Sequence, residues 1–308
     1  MPLIPIRGAA RSAALAGALL LAACDGAPRA PEFDPDHAWS HLNAQMAFGP
    51  RYAGHAGHER QLAWLLEQLE LRADTVFTQT FSTHDAEGNL LRLANVVARW
   101  RPEAADRVLL VANRDTRRRA EGSPDSLDRR RPVPGANLNA SGVAVLMEMA
   151  QLFKRQPPPV GVDVLLADGD DYSREVSMAG TRYFLTQMKG YRPRYAVVLQ
   201  AVADADARFP MDAGSAAEPA RRMWQTARKL GYGTVFVAQT APAAPNQGPV
   251  LAAARIPTVV IADREYGPLN MRWHATEDVP RYLSKETLEI VGRTLAAAVY
   301  GETTAKEE

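Results

Sequence analysis

The stretch Pro134-Gly135-Ala136-Asn137-Leu138-Asn139-Ala140-Ser141-Gly142 carries more information than any other part of this 308-residue chain. Ser141 is a residue type that caps helices, and apolar residues recur after it at helical spacing to about Lys154. Three prolines, Pro157 to Pro159, end the predicted helix. Leu138 stands between two asparagines. Its side chain has nearly the branched shape of Asp but no lone pair to offer a cation.

Short apolar runs typical of strands flank this helix. They cover residues 95–100 and 108–112 before it, and 162–167, 196–199 and 258–262 after it. Helices are predicted at 36–48, at 58–71, around Trp224 and, capped by Ser284, up to about Tyr300. Strands that alternate with helices predict one α/β domain over residues 35–301, a three-layer α/β/α sandwich around a mixed, largely parallel, twisted sheet. Residues 302–308 would form a polar tail.

Composition and the N-terminal residues indicate where the protein works. The 36 basic and 35 acidic side chains nearly cancel, so bulk charge favours neither nucleic acid nor an acidic membrane as a partner. Arg7 and Arg11 precede a short apolar run that ends at Cys24, which predicts a signal peptide over residues 1–23. Leu21-Ala22-Ala23-Cys24 resembles a lipobox, so we expect a lipidated Cys24, a tether over 24–34, and a protein anchored in the bacterial envelope facing the periplasm or the exterior. Cys24 is the single cysteine, which excludes disulfides and thiolate metal sites from the mature domain.

Polar clusters follow the predicted strands. They lie at 113–115, 137–139, 168–171 and 273–274. In α/β sheets, ligands bind in the crevice outside the carboxyl ends of the strands. Each cluster alone is a weak signal, because an Asp after a strand is more often a turn residue than a ligand. Their order along the chain is the specific signal.

That order resembles the zinc aminopeptidase and glutaminyl-peptide cyclotransferase superfamily over nearly the whole mature chain, and bacterial glutaminyl-cyclase-like lipoproteins in particular. The resemblance implies a zinc-aminopeptidase-like fold. The segments that carry it, beside the opening stretch, are Phe48-Gly49-Pro50-Arg51, Asn95-Val96-Val97-Ala98, Asp168-Gly169-Asp170-Asp171, Ile256-Pro257 and Trp273-His274-Ala275-Thr276-Glu277-Asp278.

The resemblance assigns roles to three intact or shortened positions. His274 matches the family's last zinc-binding His. Asp171 stands at the zinc-binding Glu, and Asp170 stands at the Glu that serves as general acid and base. Both aspartates are one methylene shorter than Glu, and a displacement of about 1 Å at a reacting centre can cost ~100-fold in rate.

Other site positions depart from the family's pattern. Leu138 replaces a zinc-binding Asp, and Asn113 replaces a His that is a ligand in two-zinc members. Asp115 matches the Asp of that same segment. Gln200 stands at an Asp that is a second-metal ligand in aminopeptidases and a network residue in cyclases. Asn246 would replace another network carboxylate.

These departures predict a degraded metal site. Catalytic zinc needs about three protein donors, and only Asp171 and His274 remain at the expected places. We therefore expect no cofactor. The predicted function is a catalytically degenerate pocket that binds a peptide or amine through Asp170, Asp171 and the wall formed by Trp273, with Asp115 nearby.

Two alternatives remain open from sequence. The first is an active zinc-dependent aminopeptidase or glutaminyl-peptide cyclotransferase with a rebuilt site, whose third donor would come from Asn139, Asp168, Asp115 or Asp204. The second is a structural or assembly lipoprotein that uses an outer face. A calcium site made of aspartate oxygens from 168–171 is a further possibility.

Two features outside the motifs carry weaker expectations. The Arg triplets 117–119 and 129–131 belong to a polar loop. Such a run is more often a solvated loop than a receptor for an acidic peptide, phosphate or lipid headgroup. No spatial argument from sequence connects His37, His41 and His84.

Overall fold

Six strands form the central sheet of the computed structural model, which describes residues 30–243 and 245–303. The predicted signal peptide, Cys24 and most of the predicted tail lie outside the described residues. The strands are β1 (Thr75–His84), β2 (Leu90–Trp100), β3 (Arg107–Asn113), β4 (Gly161–Ala167), β5 (Tyr195–Gln200), β6 (Phe209–Asp212), β7 (Phe236–Ala241) and β8 (Thr258–Ala262). The helices are α1 (Pro35–Ala47), α2 (Ala56–Glu70), α3 (Gly142–Arg155), α4 (Ala179–Gln187), α5 (Ala217–Lys229), α6 (Gly248–Ala253) and α7 (Lys285–Tyr300).

The strand order of the central sheet is β1-β2-β4-β3-β5-β8, and β6 and β7 pair separately. Strands β4, β3, β5 and β8 run parallel to one another, whereas β2 is antiparallel to both β1 and β4. The carboxyl ends of four parallel strands therefore meet at one edge of the sheet. This edge collects the polar clusters that the sequence places after the strands.

Alternate side chains of each strand pack against different helix layers. On β2, Val96 belongs to the larger apolar core, which includes residues of α1, α2, α3, α5 and α7. The next residue, Val97, belongs to a second core with Phe184 of α4 and Leu251 of α6. Helices thus cover both faces, and the predicted three-layer α/β/α domain with a mostly parallel sheet is confirmed.

Helix boundaries agree with the predictions to within two residues, but one predicted cap is wrong. Ser284 caps α7 as expected, because its hydroxyl accepts hydrogen bonds from the backbone N–H groups of Glu286 and Thr287. Ser141 makes no capping hydrogen bond, since its backbone is already helical and its hydroxyl donates to the Asn137 carbonyl instead.

The sequence-based prediction omitted several elements. Strand β1 lies at the sheet edge, is mostly polar and is largely exposed, so it lacks the continuous apolar run of a buried strand. The short elements β6, β7, α4 and α6 were also not predicted. Among the described residues, no helix is both long and apolar enough to cross a membrane.

Candidate active site at the carboxyl ends of the parallel strands

The structure brings the predicted site residues to one edge of the sheet. Asn113 is the last residue of β3 and Gln200 the last of β5. Asp170 and Asp171 lie three and four residues after the end of β4. His274 reaches the same region from the loop after β8, where it contacts Asp171.

Asp171 is neutralised by two cationic side chains. Arg117 donates to Asp171 Oδ1 from Nη2 at 2.8 Å and from Nε at 3.2 Å. His274 Nε2 lies 3.1 Å from the same oxygen. Burial by itself raises the pKa of Asp171, but the charges of His274 and Arg117 hold this pKa well below its ordinary value. Asp171 is therefore a carboxylate with its charge already compensated.

The second oxygen of Asp171 is also in use. Asn139 donates to Oδ2 from its side-chain amide at 3.2 Å, and the same amide donates to the Asp115 carbonyl. Asp115 in turn accepts a hydrogen bond from the backbone N–H of Asp171. Burial, followed by the charges of Asp168, Asp171 and Asp170, raises the pKa of Asp115 well above its ordinary value. Burial and the neighbouring carboxylates thus disfavour the ionised form of Asp115.

Asp170, the position of the general acid and base, is anchored to helix α4. Its two oxygens accept hydrogen bonds from the backbone N–H of Thr181 at 3.0 Å and from the Thr181 hydroxyl. Gln247 hydrogen-bonds to the same carboxylate. Burial raises the pKa of Asp170 to about 6, so this group can exchange a proton near neutral pH.

Leu138 is completely buried in a turn held by Asp278. The two Asp278 oxygens accept the backbone N–H groups of Asn137 at 2.6 Å and Leu138 at 3.0 Å, and the Tyr266 hydroxyl donates to Oδ1 at 3.1 Å. Asp278 therefore organises the backbone of the turn, while the Leu138 side chain contributes no donor atom.

Three altered positions keep buried polar atoms without a hydrogen-bond partner. These atoms are Asn113 Oδ1, Gln200 Oε1 and Asn246 Nδ2. Asn246 uses its oxygen to accept the Gly248 N–H at the start of α6. Trp273 is half-buried and lies 5.8 Å from the His274 ring between centroids. The strand ends thus carry buried, uncharged polar side chains at these three positions.

The prediction that the first Arg triplet is solvated fails for Arg117, which is buried. The loop that carries it is bonded to the loop that carries His274. Gly122 donates its N–H to the His274 carbonyl at 3.0 Å, and Ser123 Oγ accepts the Thr276 N–H at 3.0 Å. A Cβ added to Gly122 would lie 2.0 Å from the Trp273 carbonyl oxygen. No residue spacing in the sequence connects Arg117 with Asp171, because the path of this loop brings the two side chains together.

Asp168 belongs to a separate buried network that sequence reasoning also missed. His58 Nε2 lies 2.9 Å from both Asp168 oxygens, and the Ala94 N–H donates to Oδ2 at 2.7 Å. Arg114 Nη2 lies 3.5 Å from Oδ2. These contacts tie α2, β2 and the end of β4 together, so Asp168 has a structural role beside the site.

A cavity of about 610 Å³ lies next to the His274 loop. Asp204, Asp263 and Arg272 line it, and Asp206 and Arg208 lie on its exposed part. Both Asp204 oxygens and Asp263 Oδ2 are buried, and Asp204 interacts with the Asp263 carboxyl and with the backbone N–H of Asp206. Burial, followed by the charge of Asp204, raises the pKa of Asp263 to about 7. Burial also raises the pKa of Asp204, so the ionised form of both neighbouring carboxyl groups is disfavoured.

Among the described residues, one further group can hold a metal ion, and it lies away from the strand ends. His37 and His41 of α1 and Glu148 of α3 each offer one ligand atom, and these atoms lie within 4.8 Å of one another. Imidazole and carboxylate donors of this kind suit zinc.

Comparison with solved structures shows close similarity to two kinds of enzyme. A Zn-dependent exopeptidase from Parabacteroides distasonis has a TM-score of 0.85 and 27% sequence identity, over 89% of this chain and all (100%) of that chain. The glutaminyl cyclase of Bacteroides thetaiotaomicron, solved bound to N-acetylhistamine, has a TM-score of 0.85 and 28% identity over 89% and 100% of the two chains. A leucine aminopeptidase precursor from Bacteroides thetaiotaomicron has a TM-score of 0.85 and 28% identity over 89% and 99%.

Sequence comparison agrees with the structural comparison. The search of curated protein sequences found no match. The sequence model of peptidase family M28 matches residues 95–299, which span β2 to α7 and all of the strand ends described above. The predicted relationship to zinc aminopeptidases and glutaminyl cyclases is confirmed, and the chain belongs to peptidase family M28.

Proposed function

We propose that this M28-family chain binds a peptide or another amine without the zinc chemistry of its relatives, as a lipoprotein of the bacterial envelope. The observation that carries the proposal is the ion pair between Arg117 and Asp171 at the zinc-binding position. A guanidinium is always charged, and it supplies the positive charge that a metal ion would otherwise bring. Leu138, buried beside it, supplies no ligand atom.

The residues at this position do not fit a zinc ion. Both Asp171 oxygens already accept donors, one from Arg117 and one from Asn139. Two unit charges 4 Å apart repel by about 4 kcal/mol at an effective dielectric constant of ~20, and a dication beside a guanidinium doubles this to about 8 kcal/mol. Structural zinc sites with four ligands bind with roughly 10–16 kcal/mol. His274 Nε2 already lies 3.1 Å from Asp171 Oδ1, so attraction of zinc to the site falls well short of that range.

The contacts also weigh against a rebuilt zinc or calcium site. His58 and the Ala94 N–H already engage both Asp168 oxygens. Asp170 is held by Thr181 on both oxygens. The Asn139 amide is held by the Asp115 carbonyl and by Asp171.

We place the peptide or amine in the cavity beside the site and not on Asp170 and Asp171, whose oxygens already have hydrogen-bond partners. Asp204 and Asp263 place two neighbouring carboxyl groups beside the cavity, and carboxylates bind a primary ammonium, which has three N–H donors. Arg208, on the exposed part of the same cavity, suits the carboxylate or carbonyl end of a peptide. A cavity of about 610 Å³ is within the usual size of small-ligand sites.

Calorimetry with leucinamide tests the ligand class. We expect leucinamide to bind and N-acetyl-leucinamide, which has no ammonium group, not to bind. Asp204→Asn should weaken leucinamide binding at least tenfold, whereas Asp206→Asn, at an exposed position of the same cavity, should have little effect. Equal binding of the two ligands would overturn the amine assignment. Binding of neither would favour a function carried by an outer face.

Elemental analysis tests the absence of zinc from the family's position. The wild-type protein and His274→Ala should retain the same amount of zinc after incubation and desalting. Zinc that is lost in His274→Ala, together with aminopeptidase or glutaminyl cyclase turnover, would overturn the proposal and support the active-enzyme alternative.

Lipid anchoring is tested separately from the site. We expect the full chain to incorporate labelled fatty acid and to fractionate with membranes when it is expressed in a bacterium. Cys24→Ser should abolish both, because Cys24 is the single cysteine of the chain. Membrane fractionation that survives this substitution would contradict the lipoprotein assignment.

A further inference from the structure

We infer that His37, His41 and Glu148 form a binding site for a divalent transition-metal ion of the zinc class, at the contact between α1 and α3. The three ligand atoms lie within 4.8 Å of one another. His37 Nδ1 already lies 2.5 Å from Glu148 Oε2, and the rings of His37 and His41 are 4.4 Å apart between centroids. A modest adjustment of side chains brings three donors around one ion.

The local sequence explains why the histidines converge. His37 and His41 are four residues apart on α1, so their side chains lie on the same face of the helix. That face packs against α3. Glu148 lies about 9 Å along the axis of α3 from the first residue of α3, Gly142. No residue at the family's zinc-binding positions takes part.

Two of the three proposed ligand residues are buried in the contact between α1 and α3. Glu148 is fully buried and His41 is 5% exposed, while the His37 side chain is 35% exposed. His41 Nε2 has no hydrogen-bond partner. A buried imidazole nitrogen without a partner is destabilising, and a metal–ligand bond would remove that cost.

The surroundings of Glu148 leave one oxygen for the ion. Arg155 Nη2 lies 3.1 Å from Oε1, and the Asp34 N–H donates to Oε1 at 3.4 Å. Oε2 is the oxygen that faces His37. Arg155 is half-exposed, so solvent screens much of its repulsion toward a bound ion.

The donor set selects the class of metal. Two imidazoles and one carboxylate favour zinc and similar transition metals over magnesium or calcium, which prefer oxygen donors alone. Three protein donors leave a fourth position, on the partly exposed His37 side, for water or another ligand. A bound ion would fasten the first helix of the domain to α3.

Zinc retention after desalting and the visible spectrum of the cobalt-loaded protein test the site. We expect about one equivalent of zinc and a cobalt spectrum of low coordination number. His37→Ala, at the most exposed ligand, and Glu148→Gln, which keeps the side-chain shape, should each lower affinity at least tenfold. His84→Ala, at an exposed position, is the matched control and should change nothing.

Zinc retention in these variants also tests the α1–α3 site independently of the proposed function. Absence of retained zinc, or zinc that survives both His37→Ala and Glu148→Gln, would overturn the α1–α3 site. Zinc lost in His274→Ala and kept in His37→Ala would overturn both proposals, because the ion would then lie at the family's position. Circular dichroism of each variant confirms that a loss of zinc does not reflect loss of the fold.

Discussion

The guanidinium of Arg117 approaches one oxygen of Asp171 through two nitrogens, Nη2 at 2.8 Å and Nε at 3.2 Å. Both side chains are less than one-tenth exposed, at 9% and 7%. Water screens such a pair poorly, so each partner depends on the other for its charge compensation. This dependence sets the expected behaviour of variants at the site.

Removing the cation from this pair should destabilise the fold. Arg117→Ala leaves a buried carboxylate with His274 as its one remaining cation, and we expect a loss of about 3–5 kcal/mol in the free energy of unfolding measured with urea. Arg119→Ala is the matched control, because Arg119 is half-exposed and pairs with an exposed Glu87. Its cost should be about 0–1 kcal/mol. Equal effects of the two substitutions would contradict the assigned role of Arg117.

Restoring the lost ligand should restore metal binding only when the guanidinium is also removed. We expect Leu138→Asp combined with Arg117→Ala to retain about one more equivalent of zinc than wild type, in a manner that depends on His274. Leu138→Asn combined with Arg117→Ala is the shape-matched control, since an amide oxygen is a weaker zinc ligand than a carboxylate. If the folded double variant retains no more zinc than wild type, then positions other than Leu138 and Arg117 also prevent zinc binding at this site.

The Asp204–Asp263 pair should make stability decrease as pH rises. Burial and the neighbouring carboxyl raise the pKa of Asp263 to about 7, above its unfolded value of ~4. Between these values the folded protein keeps a proton that the unfolded chain releases, so the free energy of unfolding falls with rising pH. The contribution is fully present below about pH 4 and is lost by about pH 7.

Asp263→Asn provides the test of that pH dependence. The asparagine oxygen can still accept the N–H groups of Arg264 and Glu265, which now bond to Asp263 Oδ1. Urea unfolding measured from pH 4 to pH 7 should therefore show a smaller decline in the variant than in wild type. The same decline in both proteins would assign it to other groups.

Asp168→Asn should act on stability and not on metal content. His58 and the Ala94 N–H both use this carboxylate, and Arg114 lies close to it in the buried network. We expect a loss of about 3–5 kcal/mol in the free energy of unfolding, because a buried charged network is broken. Retained zinc should match wild type. A loss of zinc in this variant would instead place Asp168 among the ligands of a rebuilt centre.

The fold was predictable because its signals are local and ordered. Buried strands such as β4 are continuous apolar runs, and Ser284 begins α7 with a residue type whose hydroxyl caps the helix. Strand β1 was missed because an edge strand exposed to solvent carries no such run. Ser141 was wrongly assigned as a cap because its hydroxyl has a better partner in the preceding turn.

The site was predictable in position but not in its contacts. The strand ends place Asp171 and His274 at one edge of the sheet, as their order along the chain indicated. The sequence contains no periodic or spacing signal that joins Arg117 to Asp171, since a long loop brings them together. The four-residue spacing of His37 and His41 was visible, but their partner Glu148 is more than 100 residues away and is supplied by helix packing.

The hydrogen bond from Gly122 to the His274 carbonyl has a consequence for how the site could open. Arg117 and His274 are carried by two loops that are bonded to each other, and Gly122 allows a backbone approach that any side chain would block. Movement of one loop therefore carries the other with it. We therefore expect a displacement of either loop to disturb both side chains that contact Asp171.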